Sequence, residues 1–377
     1  RTLGSHGAEV LANAALCQRH ADAQGRLQPY LELRPFDLHT EVPLAYQRRQ
    51  AQPPAASQPY AALPQALREL IRRPLSLHLF HQAYAGPGTL PSSLDDGGLI
   101  DAYLDRLSAN AEGGQAGMGQ WLQDLAQVML DSRAPMLPLA TAQDWVQRWR
   151  SEAGFSSLQA VTKLDPVEEL VSANLLLRPA EEGQGLLRAL QGYQFAHQKI
   201  GERVLLRRLD QGLKHRPSPA ADELARWVRV ADGGLQQGGQ RVDPFWELGG
   251  ALAQWVRRLC LAGEMEALVP VLSVHDARLL GVWLGAAVQA LAASPGGHAA
   301  LVLRGLARRA AEEDGQGRAF LGALQAHARR AEATLPLACT RVAWQAYGDC
   351  AAALVARHPG DLDFQRAVSV SFNELGD

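Results

Sequence analysis

His197 has the position in this sequence that could do the most specific chemistry. It lies in YQFAHQKIGERVLL, residues 193–206, where a short apolar stretch typical of a strand runs into a helical pattern. A strand-to-helix junction fixes the backbone, so an imidazole there points in a defined direction. It could serve as a catalytic base, bind a metal, donate a hydrogen bond to a phosphate oxygen, cap the following helix or pack in the core. The local sequence leaves these alternatives open.

A second pair of imidazoles, His78 and His81, is three residues apart in HLFH and could face the same way on a helix. Two imidazoles without a third carboxylate or thiolate nearby make a poor metal site, and packed or exposed histidines are far commoner. We therefore expect no metal site in this segment.

The sequence lacks the short motifs of several enzyme classes. It contains no GxxxxGK[ST] phosphate loop, no GxGxxG after a strand, no GxSxG elbow, no HExxH and no Cys/His zinc spacing. No acid–base dyad or nucleophile stands out either. We assign no catalytic residue and expect no self-contained enzymatic activity.

Composition favours helices and excludes several broad classes. Hydrophobic residues make up 47% and aromatic residues 6%, and 37 basic side chains nearly balance 39 acidic ones. That balance predicts no general attraction to nucleic acid or to an anionic membrane. The four cysteines lie far apart, as in a reduced cytoplasmic protein. The longest apolar stretch, residues 279–293, is too short to span a bilayer, and both ends of the chain resemble cuts through a longer protein.

Helical periodicity dominates after the strand-like YLELRPF and the proline-rich residues 51–59. A helix is also expected over residues 7–21. Thr141 is expected to cap one helix, and Asp165 followed by Pro166 and Glu168 forms a strong start for the next. Two short strands, in LLLRP and YQF, then follow three helices. This order predicts a winged helix with a small β-hairpin inside a mainly α chain.

The order of these parts resembles the STAND class of signal-transduction ATPases, of the NB-ARC and NACHT type. Three segments carry the resemblance: YLELRPFDLHTEVPLAY, LRELIRRPLSLHLF and YQFAHQKIGERVLL. They look like the last core strand of the nucleotide-binding domain with its following helix, the helical lid, and the winged-helix element with its sensor histidine. Together they span roughly residues 27–210, and their order is more specific than any one of them.

The resemblance implies roles for three residues. Pro74 would contact adenine, and His197 would reach the β-phosphate of bound ADP. Gln198 replaces the acid that follows the histidine in the MHD form of the family. Glu202 matches a later acid of the pattern and would tie its helix to neighbouring ones. The implied cofactor is ADP or ATP, with Mg in the intact protein, because the Walker A and B residues have no counterpart in this chain.

The resemblance also implies the domain order. We expect a helical lid bundle, a winged-helix domain and an antiparallel helical-hairpin array. The expected bounds are 1–50 for the C-terminal remnant of the α/β nucleotide-binding domain, 60–135 for the lid, 136–215 for the winged helix, 220–360 for the array, and 361–377 for the start of tetratricopeptide-like repeats.

The leading hypothesis is the regulatory part of a bacterial, cytoplasmic STAND-type ATPase, in which ADP or ATP controls opening and oligomerisation. The expected partners are a protein ligand on the helical array and further copies of the chain on activation, with no membrane. The alternative is a helical-repeat scaffold for protein partners with no nucleotide role. A DNA-binding winged helix is a third interpretation, since Arg203, Arg207 and Arg208 lie near it, but without a basic excess no nucleic-acid partner is expected.

Overall fold

The computed structural model confirms a mainly helical chain with a small antiparallel sheet. The chain forms two compact units, residues 1–119 and residues 120–377, which are described separately. None of the described helices combines the length and the apolar character that a bilayer crossing requires. The structure describes residues 17–21, 27–33, 35–51, 58–86, 90–91, 94–109, 118–152, 165–178, 192–213, 216, 218–233, 244–293 and 296–375.

The first unit opens with an antiparallel pair of strands, β1 (Cys17–Ala21) and β2 (Leu27–Leu33). β2 confirms the strand predicted in YLELRPF. The helix expected over residues 7–21 is wrong for residues 17–21, because the alternating β2 offers a pairing partner that a short, ambiguous segment can use. Residues 7–16 lie outside the described residues. We predicted that residues 1–50 are the C-terminal remnant of an α/β domain, and this stays a prediction.

Four α-helices follow among the described residues of the first unit. Their core is formed by apolar side chains such as Leu67, Ile71 and Phe80, all fully buried. Pro74 separates the second helix from the third by occupying the first turn of the latter, where no backbone donor is needed. The helices are α1 (Glu41–Gln50), α2 (Gln65–Leu70), α3 (Pro74–Ala83) and α4 (Asp96–Ala109).

The second unit begins with a helical segment that encloses a three-stranded antiparallel sheet in the order β3, β5, β4. The succession helix, strand, helix, helix, strand, strand is that of a winged helix, with one short strand, β3, that the sequence did not predict. The elements are α5 (Met118–Ser132), β3 (Leu137–Pro138), α6 (Leu139–Glu152), α7 (Pro166–Ser172), β4 (Leu176–Leu177) and β5 (Gly192–Phe195).

Of two predicted helix starts, the one at Asp165 is confirmed and the one at Thr141 is wrong. Asp165 caps α7 as predicted, because its carboxylate accepts hydrogen bonds from the backbone N–H of Val167 at 2.9 Å and of Glu168 at 3.2 Å. Thr141 does not cap α6. That helix starts two residues earlier, at Leu139, directly after β3, so Thr141 lies inside it.

The remaining helices form an array joined mostly by short connections. In it, α8, α10, α12 and α14 pack in succession, α9 and α13 pack on α10, and α15 packs on α13, α14 and α16. The apolar stretch at residues 279–293 is largely the buried helix α12, as expected. The bounds are α8 (Gln198–Gly212), α9 (Ala221–Asp232), α10 (Trp246–Ala262), α11 (Met265–Leu268), α12 (Ala277–Ala290), α13 (His298–Ala310), α14 (Asp314–Thr334), α15 (Leu337–Arg357) and α16 (Leu362–Leu375).

Gly192 fixes the close pairing of β5 with β3. A Cβ atom at Gly192 would lie 2.4 Å from the carbonyl oxygen of Leu137 and 3.1 Å from the nitrogen of Pro138. Both atoms belong to backbone, which cannot rotate away as a side chain can. A larger residue at position 192 must therefore push β3 off the sheet.

We predict that Gly192→Ala destabilises the second unit by about 1–3 kcal/mol, the usual cost of overpacking. The control is Gly322→Ala on the exposed face of α14, where an added Cβ meets nothing within 4 Å. That change should stabilise the helix by about 0.5–1 kcal/mol. Chemical denaturation followed by tryptophan fluorescence measures both values, and equal stability of the two variants would contradict the packing argument.

Candidate functional site

His197 lies between β5 and α8 and is half-buried. Its backbone is extended, with φ −130° and ψ 120°, and its carbonyl accepts hydrogen bonds from the N–H of Ile200 at 3.0 Å and of Gly201 at 3.1 Å. The backbone of His197 therefore begins α8. Its side chain forms no capping hydrogen bond, so the imidazole is not used to cap this helix.

Glu202 lies one turn into α8, with its side chain 12% exposed. Its carboxylate accepts hydrogen bonds from Gln198 Nε2 at 3.0 Å and from Lys199 Nζ at 2.7 Å. The same side chain packs against Gly250 of α10, where a Cβ atom would lie 2.2 Å from Glu202 Cδ. Glu202 thus lies at a close contact between α8 and α10. The tie to neighbouring helices that the resemblance implied stays a prediction.

Asp210 fixes the other end of α8 to α10. Its two carboxylate oxygens each accept a hydrogen bond from the guanidinium of Arg258 at 2.8 Å, and one also accepts from Trp255 Nε1 at 2.9 Å. A two-point arginine–carboxylate pair restricts orientation as well as distance. The helix that begins beside His197 is therefore held to the array near both of its ends.

Pro74 lies in the first unit, exposed on the wall of an open cleft of about 480 Å³ between α1 and α3. Apolar side chains line the middle of this cleft, and charged ones lie toward its ends. A volume of this size suits a small organic ligand. The lining consists of Phe36, Glu41, Leu44, Ala45, Arg48, Arg49, Pro74, Leu77 and His78.

His78 and His81 do not share one environment. His78 is exposed and lines the cleft, whereas His81 is fully buried with its ring centroid 4.6 Å from that of Tyr46. Burial, together with the smaller effect of the charges of Arg49 and His78, lowers the pKa of His81 to about 4. Among the residues that the structure describes, no three His, Cys, Asp or Glu side chains are grouped to hold a metal ion.

Two thiols in the array are also unsuited to nucleophilic chemistry. Burial raises the pKa of Cys260 to about 12, and burial together with the charge of Asp349 does the same for Cys350. Both thiols are therefore protonated at neutral pH, and a protonated thiol is a poor nucleophile.

The predicted site residues thus fall into two groups. His197 and Glu202 share α8 in the second unit, and Pro74 lines a cleft in the first. Sequence reasoning missed Arg48 and Arg49 at the basic end of that cleft. The spacing of Glu41 and Arg48 in EVPLAYQRR places both residues on one side of a helix. The sequence does not show that this side faces α3, so the spacing alone did not indicate a ligand site.

The chain matches no protein-family model, no curated protein and no solved structure at a significant level. The resemblance to STAND ATPases and the roles it implies for Pro74, His197 and Glu202 therefore stay predictions.

We predict that His81 makes the first unit less stable in acid. Its pKa in the folded state is about 4, below the ordinary 6.5, so between these values the unfolded chain binds a proton that the folded chain does not. Above pH 6.5, His81 does not lower the free energy of unfolding. As the pH drops from 6.5 toward 4, the free energy of unfolding falls by up to about 3 kcal/mol. His81→Gln should flatten this part of the profile.

Denaturant unfolding of the first unit at pH 4.5, 5.5, 6.5 and 7.5 measures the effect. The comparison between pH 7.5 and 8.5 is the internal control, since an imidazole with either pKa is neutral there. Parallel profiles for the two proteins below pH 6.5 would show that His81 does not carry the acid sensitivity.

Proposed function

We propose that this chain is the regulatory part of a cytoplasmic STAND-type ATPase, in which bound ADP or ATP controls opening and oligomerisation. The cleft beside Pro74 takes the base, and His197 senses the phosphate. This chain contains no GxxxxGK[ST] motif, and the proposal assigns hydrolysis and Mg binding to Walker A and B residues of the intact protein.

The observation that carries this proposal is the attachment of α8. The helix starts at His197, directly after β5. It packs closely on α10 where Glu202 meets Gly250, and the ion pair of Asp210 with Arg258 joins it to the same helix. A change in what His197 contacts is therefore transmitted along a stiff helix into the array, without needing a flexible linker. A ligand that binds one position of this element better than another would shift its equilibrium.

The helical-repeat scaffold remains the second candidate, and a specific observation favours it. The array exposes large apolar side chains that a protein partner could cover: Leu301, Leu337, Leu362 and Phe372 are 61–72% exposed. The array can serve as the partner-binding part of a switch as well as of a plain scaffold. The two candidates therefore differ in the role of nucleotide and not in the role of these helices.

Arg208, one of the three arginines near the sheet, does not favour DNA binding. Arg208 donates to Gln127 Oε1 at 2.7 Å and to Gln211 Oε1 at 2.8 Å, so its guanidinium serves the contact between α5 and α8. Hydrogen-bond donors of Arg208 are thus used within the fold and not directed to a ligand.

We predict that His197→Ala in the intact protein releases bound ADP about tenfold faster than the unchanged protein, the usual effect of losing one hydrogen bond to a charged group. Basal signalling activity should rise with the loss of ADP. The measurement is the nucleotide content of the purified protein and its rate of exchange with labelled ADP.

The matched control is His275→Ala, an imidazole that is 84% exposed and lies in the array. It should retain ADP like the unchanged protein. If His197→Ala also keeps its nucleotide content, exchange rate and basal activity, the sensor role is refuted.

A further inference from the structure

The two walls of the first-unit cleft run in the same direction. The backbone N–H of Phe36 donates to the carbonyl of Arg72 at 2.8 Å, so the residues that lead into α1 and α3 lie side by side. Further along, the ring of Tyr46 on α1 lies 6.2 Å from that of Phe80 and 4.6 Å from that of His81 on α3. The start of one helix thus faces the start of the other.

This arrangement gives the cleft two chemically different ends. Glu41 lies in the first turn of α1 with Pro74 in the first turn of α3, whereas Arg48 and Arg49 lie in the last turn of α1, beyond Leu77. Glu41 and Arg48 are two turns apart, roughly 10 Å along the helix. The cleft is therefore acidic at one end, apolar in the middle and basic at the other.

The two arginines differ from the others described in the first unit. Arg72 pairs with Glu69, Arg73 pairs with Asp96, and Arg68 and Arg106 donate to backbone carbonyls. Among the residues that the structure describes, neither Arg48 nor Arg49 lies within ion-pair distance of a carboxylate. The Nε atom of Arg49 is also buried without a hydrogen-bond partner. Two guanidinium groups left uncompensated beside an open cleft are suited to an anionic ligand.

We infer that Arg48 and Arg49 bind the phosphates of the nucleotide, whose base lies at the Pro74 end of the cleft. The inference rests on the proposed function and assigns two phosphate-binding residues that lie outside any P-loop. The distance between the acidic and basic ends is comparable to that from base to β-phosphate in an extended nucleoside diphosphate.

The test is calorimetric titration of the full chain with ADP and, separately, with adenosine. The unchanged chain should bind ADP more tightly than adenosine, and added salt should reduce the difference. The double variant Arg48→Gln/Arg49→Gln should lose tenfold or more in ADP affinity and keep its affinity for adenosine. Arg106→Gln, an exposed arginine of the same unit outside the cleft, is the matched control and should behave like the unchanged chain.

Circular dichroism of the double variant should match that of the unchanged chain, which separates a lost contact from a lost fold. If the double variant binds ADP as tightly as the unchanged chain, the phosphate role is overturned and the proposed function stands. If the unchanged chain binds neither compound at millimolar concentration, the inference is also overturned, and the proposed function then depends on the ADP exchange measured for His197→Ala.

Discussion

The close contact between α8 and the elements on either side of it is the constraint on which the second unit depends. At Gly201, a Cβ atom would lie 2.7 Å from the ring of Phe195 on β5 and 2.9 Å from Glu247 Cγ on α10. Only a residue without a side chain lets the sheet, α8 and α10 meet at this point. His197 lies four residues before Gly201, and its carbonyl accepts the hydrogen bond of the Gly201 N–H in the first turn of α8. The contact at Gly201 therefore also fixes the position of His197.

Two further helices of the second unit, α10 and α12, are connected to α8 by successive contacts. Glu202 and Asp210 hold α8 along α10, and α10 in turn packs on α12, where Trp283 Nε1 donates to the carbonyl of Gly249 at 2.8 Å. The crossing of α8 with α10 and the crossing of α10 with α12 thus each include a polar contact as well as apolar burial. In the proposed switch, we expect these two contacts to pass a displacement of α8 on to α10 and α12. Interiors packed this closely change between discrete arrangements more readily than they deform.

Local signals in the sequence predicted most of the helices and the junction at His197 correctly, although residues 17–21 form a strand and Thr141 does not begin its helix. Contacts between distant segments could not be predicted. Asp165 caps its helix because the necessary donors are the next residues in the chain. The pairing of β3 with β5 joins segments more than fifty residues apart and depends on the missing side chain of Gly192, so periodicity gave no sign of it. The basic end of the cleft could not be predicted either. Arg48 and Arg49 face a ligand-sized space only after α1 has packed on α3.

The central claim, that nucleotide controls this chain, is tested most directly by reading the coding sequence that precedes Arg1 in the native locus. The account predicts a GxxxxGK[ST] phosphate loop and an acidic strand end within about 250 residues upstream, in the same reading frame. A reading frame that starts close to Arg1, or that continues upstream only as helical repeats, would contradict the nucleotide switch and leave the scaffold as the function of these helices.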